Sequence, residues 1–544
     1  MDGSNIKIYS YHTFILPFTW EIPRVSIDNS YEKLKSIFEN NNLWINTNLE
    51  NDADILSKPD VADFNNVLEF YKEYQYFYPH VRKSIYGFDD NICANFLLKD
   101  SKNNGEYHIV KDKNHYILHI DSIRVRLVNT GVAIFIMQCE NHGKDYYNNS
   151  QKDIEVIKDI NDYGRRITLP FINEYVNINA DRLEVRIPGI GNFVEDYKSF
   201  ISDTCKGGFN KAVKISLNHI CGFIKDLLSC GSGYNFISRP SENKDEIRIY
   251  PALDDRMYVA FAVEEKNITE KVSLTDTNRN YLFLSDDELN KSLYEIAFTD
   301  HSNSCTCPDK EMRTEQVKNS LYLRWLPSGT FYTVTSMGFG MISSAEIGGN
   351  DNYLYESFLT CYIQMIYTIV IQKASIVHFN KEAANIARHF ANSNKAISKN
   401  DIISIMKLQE RHTVFDNQLF FSEVSSELQA IEMYDMLKDT FRLEEENDKL
   451  DKNLTSLYEI TDTNLNSIVN ASVEFLTYIS IILSGAALLY SILFASDIII
   501  KPSTYKTKIS DILSLSKSHY IFLVLIVLLS VFSFVMVRIR NKRR

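Results

Sequence analysis

The chain has 544 residues, of which 45% are hydrophobic and 24% are charged, and its net charge is −12 at pH 7. That length allows two to four domains, and the apolar content excludes a long disordered region. A negatively charged surface does not attract nucleic acid non-specifically, so no direct nucleic-acid partner is expected. The eight cysteines follow no disulfide-scaffold pattern, which favours reduced thiols in a cytosolic compartment.

Residues 1–350 combine strand-like and helix-like patterns. The stretch 115–140 alternates and is rich in Ile and Val, and a helical pattern covers 209–229. Further strand-like stretches, interrupted by Pro, Gly or Asp turns, are RLEVRIPGIGNF, DEIRIYPALDDRMYVAFAV and SLYLRWLPSGTFYTVTSMGFGM. We therefore predict a mixed α+β cytoplasmic region with two subdomains, 1–200 and 201–350. The first residues lack the basic and apolar segments of a signal peptide.

A helical region with a stalk is predicted for 351–474. Apolar residues recur at three- and four-residue steps from 401 to 475, on both sides of the charged sequence RLEEENDKLDKN. This spacing predicts a long amphipathic helix that runs into the membrane. The earlier apolar segment 358–372 contains Gln364 and is short for a membrane span, so it is predicted to be a buried core helix.

Two C-terminal segments are apolar enough to span a membrane. Residues 475–495 carry no charge and residues 520–537 are almost wholly apolar. At about 1.5 Å per residue, each matches a hydrocarbon core of about 30 Å. The connector 496–518 contains Pro502 and is predicted to be an external loop, so the two helices form a hairpin. By the positive-inside rule, the basic tail 538–544 predicts a cytoplasmic C-terminus, and the hairpin then predicts a cytoplasmic N-terminus. The membrane is predicted to be a bacterial inner membrane.

Small and hydroxyl-bearing side chains form one stripe along the first span. Steps of three and four residues keep them on one face of a helix, while bulky Phe, Tyr, Ile and Leu occupy the other faces. The stripe consists of Asn466, Asn470, Thr477, Ser480, Ser484, Ala487, Ser491 and Ala495. Such a stripe is either a packing seam between membrane helices or the lining of a water-filled pore. A pore requires an oligomer, because one hairpin cannot enclose it.

The arrangement resembles the CorA family of metal-ion transporters, which have a mixed α/β cytoplasmic domain, a stalk helix, two C-terminal spans and a basic tail. The family's Asn, five residues and Leu-Thr at the stalk–membrane junction correspond here to Asn470, ASVEF, Leu476 and Thr477. The resemblance covers residues 400–544. It implies a homopentamer in membrane lipid whose first span lines the pore, with a divalent cation such as Mg²⁺ or Co²⁺ as cargo.

The chain departs from that family at the mouth of the pore. The family ends its first span with Tyr-Gly-Met-Asn-Phe, whereas this chain has YSILF at 490–494, or Phe494, Ala495 and Ser496 in a gapless alignment. The following loop is net basic instead of acidic. The Gly-Met-Asn cation filter therefore has no counterpart here, and no metal ligand is assigned.

The region before the helical part is longer than such a transporter carries. This enlarged form resembles the CorA-type membrane effectors associated with type III CRISPR systems. That resemblance implies an ion channel for antiviral defence, gated by a nucleotide-derived second messenger that binds the cytoplasmic domain. Two alternatives stay open: a divalent metal cation transporter, and a non-conducting membrane-anchored interaction protein.

No residue set identifies the ligand site or a catalytic centre. There is no Walker A or dinucleotide fingerprint and no Ser/His/Asp or paired-carboxylate arrangement, so neither enzyme activity nor a resident cofactor is expected. The Gly-containing stretches 229–236 and 338–350 could approach a phosphate but are more typical of ordinary turns. Arg165 and Arg166 are predicted to form solvated ion pairs. The stretch 301–307, with one His and two Cys, resembles half a zinc site and is predicted to be a surface turn.

Overall fold

The computed structural model describes most of the chain up to Ile499. The described residues are 7–48, 72–87, 92–102, 104–143, 153–168, 180–198, 219–239, 242–277, 280–300, 307–347, 353–392 and 399–499. The chain divides into two compact units, Met1–Lys381 with Glu410–Leu450 and Glu382–Gln409 with Asp451–Arg544. The predicted second span 520–537 and the basic tail 538–544 lie outside the described residues.

One mixed sheet of fourteen strands forms the centre of the described part of the first unit. The strands are β1 (Ser10–Glu21), β2 (Trp44–Asn46), β3 (Cys93–Leu98), β4 (Glu106–Lys111), β5 (Asn114–Val128), β6 (Val132–Asn141), β7 (Arg182–Ile187), β8 (Gly191–Asp196), β9 (Asn235–Ile237), β10 (Glu246–Pro251), β11 (Tyr258–Glu264), β12 (Leu321–Tyr322), β13 (Thr330–Val334) and β14 (Gly338–Ser343). The strand order is β12-β13-β14-β11-β1-β6-β5-β4-β7-β8; β10 pairs with β1 and β9, and β3 pairs with β5 and β2.

Helices surround the sheet and form the C-terminal region. They are α1 (Ile27–Glu39), α2 (Pro79–Tyr86), α3 (Ile154–Gly164), α4 (Gly222–Ser229), α5 (Lys266–Ser273), α6 (Asp287–Ala297), α7 (Lys310–Ser320), α8 (Tyr353–Ser357), α9 (Ile363–Asn392), α10 (Lys399–Gln418), α11 (Leu428–Phe441) and α12 (Leu443–Ile499). A π-helical turn, Phe358–Tyr362, joins α8 to α9. The prediction of a mixed α/β region followed by a helical region is confirmed.

The central strand β1 is buried on both faces and contains a proline. Pro17 lacks an N–H donor, and proline is normally confined to sheet edges. β1 pairs with β11 up to Ile15 and with β10 from Phe18 onward. The Pro17 carbonyl, which accepts from the Ala252 N–H, faces this same side. The N–H group that Pro17 lacks would therefore lie where β1 changes from β11 to β10. The pairing of β1 with β6, on the other side of the strand, is intact.

Helices cover both faces of the sheet. On one face, the core joins Phe14, Leu16 and Phe18 of β1 to apolar side chains of α1, α3, α4 and α6. On the other face, α9 packs on β5, where Arg126 Nη2 donates to Gln364 Oε1 at 3.0 Å. A sheet that is apolar on both faces requires this three-layer arrangement.

The apolar segment 358–372 belongs to this second helical layer. The helix Tyr353–Arg388 is long and apolar enough to cross a membrane, but 72% of its most apolar 18-residue window is buried inside the protein. The prediction of a buried core helix is confirmed, because protein already covers most of its apolar surface.

Strands from both sides of residue 200 belong to the same sheet. β1 pairs with β10 and β11, and β11 pairs with β14. The subdomains predicted as 1–200 and 201–350 therefore share one core, and the sheet runs across the boundary between them. Local sequence patterns carry no information about pairing between strands that are more than two hundred positions apart.

The helical region contains breaks that its periodicity does not predict. We predicted one long helix from 401 to 475, whereas the structure has α10, α11 and α12. Between α10 and α11, the Glu427 N–H donates to the Ser425 hydroxyl, a local bond that competes with helix formation. Between α11 and α12, Arg442 adopts a left-handed φ of 52°, which ends a helix.

Helix α12 is uninterrupted over 57 residues, a length of about 85 Å. Three glutamates, Glu444, Glu445 and Glu446, occupy its first turn, where negative charge stabilises a helix N-terminus. Up to Leu450 the helix belongs to the first unit, and from Asp451 it belongs to the second. The predicted span 475–495 lies within α12, which continues to Ile499.

Candidate functional site

All eight residues of the predicted stripe lie on helix α12. At about 100° per residue, they fall within an arc of about 100° of the helix surface. The side chains of Asn466, Asn470, Thr477, Ser480, Ser484, Ala487 and Ser491 are exposed in the single chain. Ala495 lies on the same helix, and the structure describes its backbone only.

The polar groups of the stripe differ in their hydrogen bonds. Thr477 Oγ1 donates to the Val473 carbonyl at 2.8 Å, and Ser491 Oγ donates to the Leu488 carbonyl at 2.8 Å. These bonds within the helix satisfy a hydroxyl in an apolar medium. Within the described part of the chain, the Ser480 and Ser484 hydroxyls have no such partner. They are therefore the two hydroxyls of the stripe that are open to water or to another helix.

The remaining surface of this part of α12 is apolar and uncovered. The helix Val469–Leu488 has a mean hydropathy of 1.6, and none of its most apolar window is buried. Leu476 is 63% exposed and Ile482 is 60% exposed. Both this segment of 20 residues and the α8–α9 helix of 36 residues are long and apolar enough to cross a membrane, but most of the apolar window of the α8–α9 helix is buried.

A second set of polar residues lies inside the first unit, where α3 ends. We predicted Arg165 and Arg166 to form solvated ion pairs, and the structure corrects this: their exposed fractions are 1% and 6%. Both follow α3 directly, and the Met257 N–H donates to the Arg165 carbonyl at 2.8 Å. A backbone bridge between Arg166 and Arg256 fixes the pair beside the loop that precedes β11.

The two buried guanidinium groups share one carboxylate. Arg166 Nη2 lies 2.7 Å from Asp162 Oδ1, and Arg165 Nε lies 3.8 Å from the same oxygen. Arg165 Nη2 also donates to the Thr299 carbonyl at 2.7 Å, after the end of α6. Burial lowers the pKa of Arg165 to about 10, because the charged form loses its contact with water.

The rim of this set carries more carboxylates. Arg256 Nη2 lies 3.0 Å from Asp254 Oδ2, and Arg256 Nε lies 3.5 Å from Asp255 Oδ1. Burial and the neighbouring Asp254 raise the pKa of Asp255. Burial and the charge of Asp162 raise the pKa of Asp300. The three arginines and four aspartates, Asp162, Asp254, Asp255, Asp300, Arg165, Arg166 and Arg256, are called the arginine cluster below.

A buried chain of hydrogen bonds in the core was not predicted. His12 Nε2 lies 2.9 Å from Ser10 Oγ, and His12 Nδ1 lies 2.7 Å from Asn161 Oδ1. These three side chains resemble a nucleophile, a base and an orienting group, but all are buried and no substrate can reach them. Burial lowers the pKa of His12 to about 4. Because 149 positions separate His12 from Asn161, the sequence carries no spacing signal for this contact.

The other predicted residues do not converge on a site. Within 229–236, residues 230–234 form a turn between α4 and β9, in which Gly231 and Gly233 have positive φ, as expected for an ordinary turn. Residues 338–343 are not a loop but the buried strand β14. Of the half metal site, Cys307 is described and residues 301–306 lie outside the described part. Among the described residues, no group of three or more His, Cys, Asp or Glu side chains could hold a metal ion.

The chain was compared with protein-family models, with curated proteins and with solved structures, and none of the three matches it.

Proposed function

We propose that this protein is a subunit of a CorA-like, homopentameric channel in a bacterial inner membrane. In this proposal, residues 475–495 line the pore, and a ligand bound by the first unit controls conduction. The observation that carries the proposal is the stripe: eight small or polar residues occupy one face of a helix whose apolar surface is uncovered.

The uncovered apolar surface supports the membrane part of the proposal. Soluble proteins rarely expose contiguous apolar patches as large as the surface of Val469–Leu488. Lipid or further copies of the chain would remove this surface from water. The apolar helix α8–α9 needs no lipid, because most of its apolar window is already buried.

The hydrogen bonds of the stripe are compatible with a water-filled pore. Thr477 and Ser491 satisfy their hydroxyls within the helix, so they can face a narrow path without requiring a partner. Ser480 and Ser484 keep their hydroxyls open to water. A polar lining of this kind conducts only if several copies enclose it, and the resemblance to CorA implies five.

Continuity of α12 supports ligand control. The helix has no break between Leu443 and Ile499, so its first turns and its apolar part are one element. A ligand that binds one arrangement of the first unit better than another would shift the equilibrium between closed and open states. The assignment of that ligand as a nucleotide-derived messenger, and of the channel to antiviral defence, rests on the resemblance to enlarged CorA-type effectors.

A divalent cation transporter is the second candidate. Glu459, Asp462 and Glu474 lie on α12 just before or at the start of the span, and all three are exposed. Carboxylates at the entrance of a narrow path raise the local concentration of cations. This observation favours cation passage, although the Gly-Met-Asn filter has no counterpart in the sequence.

Ion flux separates the channel, the transporter and a non-conducting anchor. Full-length protein is reconstituted in liposomes, and release of K⁺ and uptake of Mg²⁺ are measured with and without a panel of mono- and oligonucleotides. The channel proposal predicts K⁺ release that a nucleotide changes at least tenfold. Nucleotide-independent Mg²⁺ uptake would favour the transporter, and no flux under any condition would favour the anchor.

A further inference from the structure

The two buried arginines of the arginine cluster have few hydrogen-bond acceptors. A guanidinium group carries five N–H donors. Among the described residues, the Arg165 guanidinium donates one hydrogen bond, to the Thr299 carbonyl, and the Arg166 guanidinium donates one, to Asp162. The Nε atoms of both are buried without a hydrogen-bond partner in the described part of the chain. Buried polar groups in folded proteins are nearly always paired, so these donors call for an acceptor.

The nearby carboxylates do not supply that acceptor. Asp162 is shared between the two guanidinium groups through Oδ1 alone, and its Oδ2 is buried without a hydrogen-bond partner in the described part of the chain. Asp254 and Asp255 lie beside Arg256 at the rim, where their side chains are 39% and 47% exposed. No described side chain donates a hydrogen bond to the Asp300 carboxylate, whose pKa is raised by burial and by Asp162. The carboxylates therefore balance the positive charge of the three arginines. They do not, however, accept a hydrogen bond from the Nε atoms of Arg165 and Arg166.

We propose that Arg165, Arg166 and Arg256 form a binding site for an oxyanion of the phosphate class. A phosphate group offers several acceptor oxygens, and guanidinium groups bind them through pairs of parallel hydrogen bonds. Free phosphate and the phosphate of an ester share this chemistry. The site goes beyond the channel proposal, because it belongs to the first unit alone and exists whether or not the chain conducts.

Position in the fold supports this assignment. Three segments meet at the cluster: the end of α3, the loop before β11 and the residues after α6. Arg256 is 28% exposed, and its backbone forms a bridge to that of the buried Arg166. A ligand that enters past Arg256 would contact groups from all three segments, and binding would hold these segments together.

Binding is tested on full-length protein in detergent and phosphate-free buffer. Inorganic phosphate, adenosine monophosphate and adenosine are titrated by calorimetry, with ³¹P line broadening as a second readout for the two phosphate compounds. We expect saturable binding of at least one phosphate compound. Arg166→Gln and Arg256→Gln should weaken it at least tenfold, and Arg324→Gln, a matched change at an exposed arginine paired with Glu432, should leave it unchanged.

Asp300→Asn should change the affinity for phosphate in the opposite direction. It removes a negative charge that interacts with all three arginines, so the affinity for phosphate should rise severalfold, and an unchanged or weaker affinity would contradict the electrostatic argument. Arg256 is at the rim, so its variant keeps the test valid if Arg166→Gln does not fold. Tighter binding of adenosine monophosphate than of inorganic phosphate identifies an ester, and equal binding identifies free phosphate. Absence of phosphate binding, equal affinity in all arginine variants, or binding of adenosine as tight as its monophosphate overturns the proposal.

Discussion

Single residues in the core show how burial changes side-chain chemistry. His12 is fully buried in the sheet and is held by Ser10 and Asn161, while Asn141 Nδ2 donates to Ser10 Oγ at 2.9 Å. These partners are consistent with a neutral imidazole that donates from Nδ1 and accepts at Nε2. The hydrogen bonds of this network therefore form when His12 is neutral.

That protonation state makes stability depend on pH. The pKa of His12 is about 4 in the folded protein against an ordinary value of 6.5, so the stability that it contributes is present above pH 6.5 and is lost as the pH falls toward 4. Between pH 7.5 and pH 5, the loss is about 2 kcal/mol. Urea unfolding of the wild type and of His12→Gln at both pH values measures it. The difference in stability between the two proteins should shrink at pH 5; a constant difference would contradict the assignment.

Gly340 lies at a position where the neighbouring side chains leave no room for a Cβ atom. A methyl group at this position would lie 2.5 Å from Phe261 Cζ and 2.6 Å from Thr333 Oγ1. Gly340→Ala should therefore destabilise the protein by about 1–3 kcal/mol, as other overpacked cores do. Thermal unfolding measures the change. Phe261→Leu shortens the opposing ring, so the double variant should be less destabilised than the sum of the two single variants; strict additivity would exclude this contact as the cause.

At the scale of elements, local patterns predicted most strands well. The alternating stretch 115–140 forms the β5–β6 hairpin, and the other strand-like stretches contain β7 and β8, β10 and β11, and β12 to β14. Alternation is a property of adjacent residues, which explains this success. Strands β1, β2, β3, β4 and β9 were not predicted. In β1, Pro17 argues against a central strand unless the change of partners at that residue is known.

The helix break at Arg442 is a second feature that periodicity could not predict. A left-handed residue other than glycine costs about 1 kcal/mol, and the exposed ion pair of Arg442 with Glu445 offsets part of this cost. Arg442→Gly should leave stability nearly unchanged, whereas Arg442→Val should lower it by about 1–2 kcal/mol, because a β-branched side chain disfavours this conformation. Melting temperatures of the two variants measure the difference. If they are equal, the left-handed turn does not separate α11 from α12.

At the scale of the whole molecule, the sequence predicted the order of the regions along the chain but not the contacts between distant segments. Composition and periodicity identified a sheet region, a helical region and an apolar span, and the structure confirms these three. The single sheet joins β1 near the N-terminus to β14 near residue 340, and the arginine cluster joins three distant segments. Such contacts depend on chain topology, which no local pattern in one sequence encodes.

The central claim is that the stripe on α12 faces a conducting path, and one pair of substitutions tests it most directly. Ser484→Leu places a bulky side chain on the stripe, and Ala486→Leu places the same side chain about 200° away on the same helix. Ion release from liposomes is measured for both variants, with size-exclusion chromatography to show that each oligomer is intact. We predict that Ser484→Leu reduces ion release at least tenfold and that Ala486→Leu does not. Equal release from the two variants, with both oligomers intact, would contradict the pore.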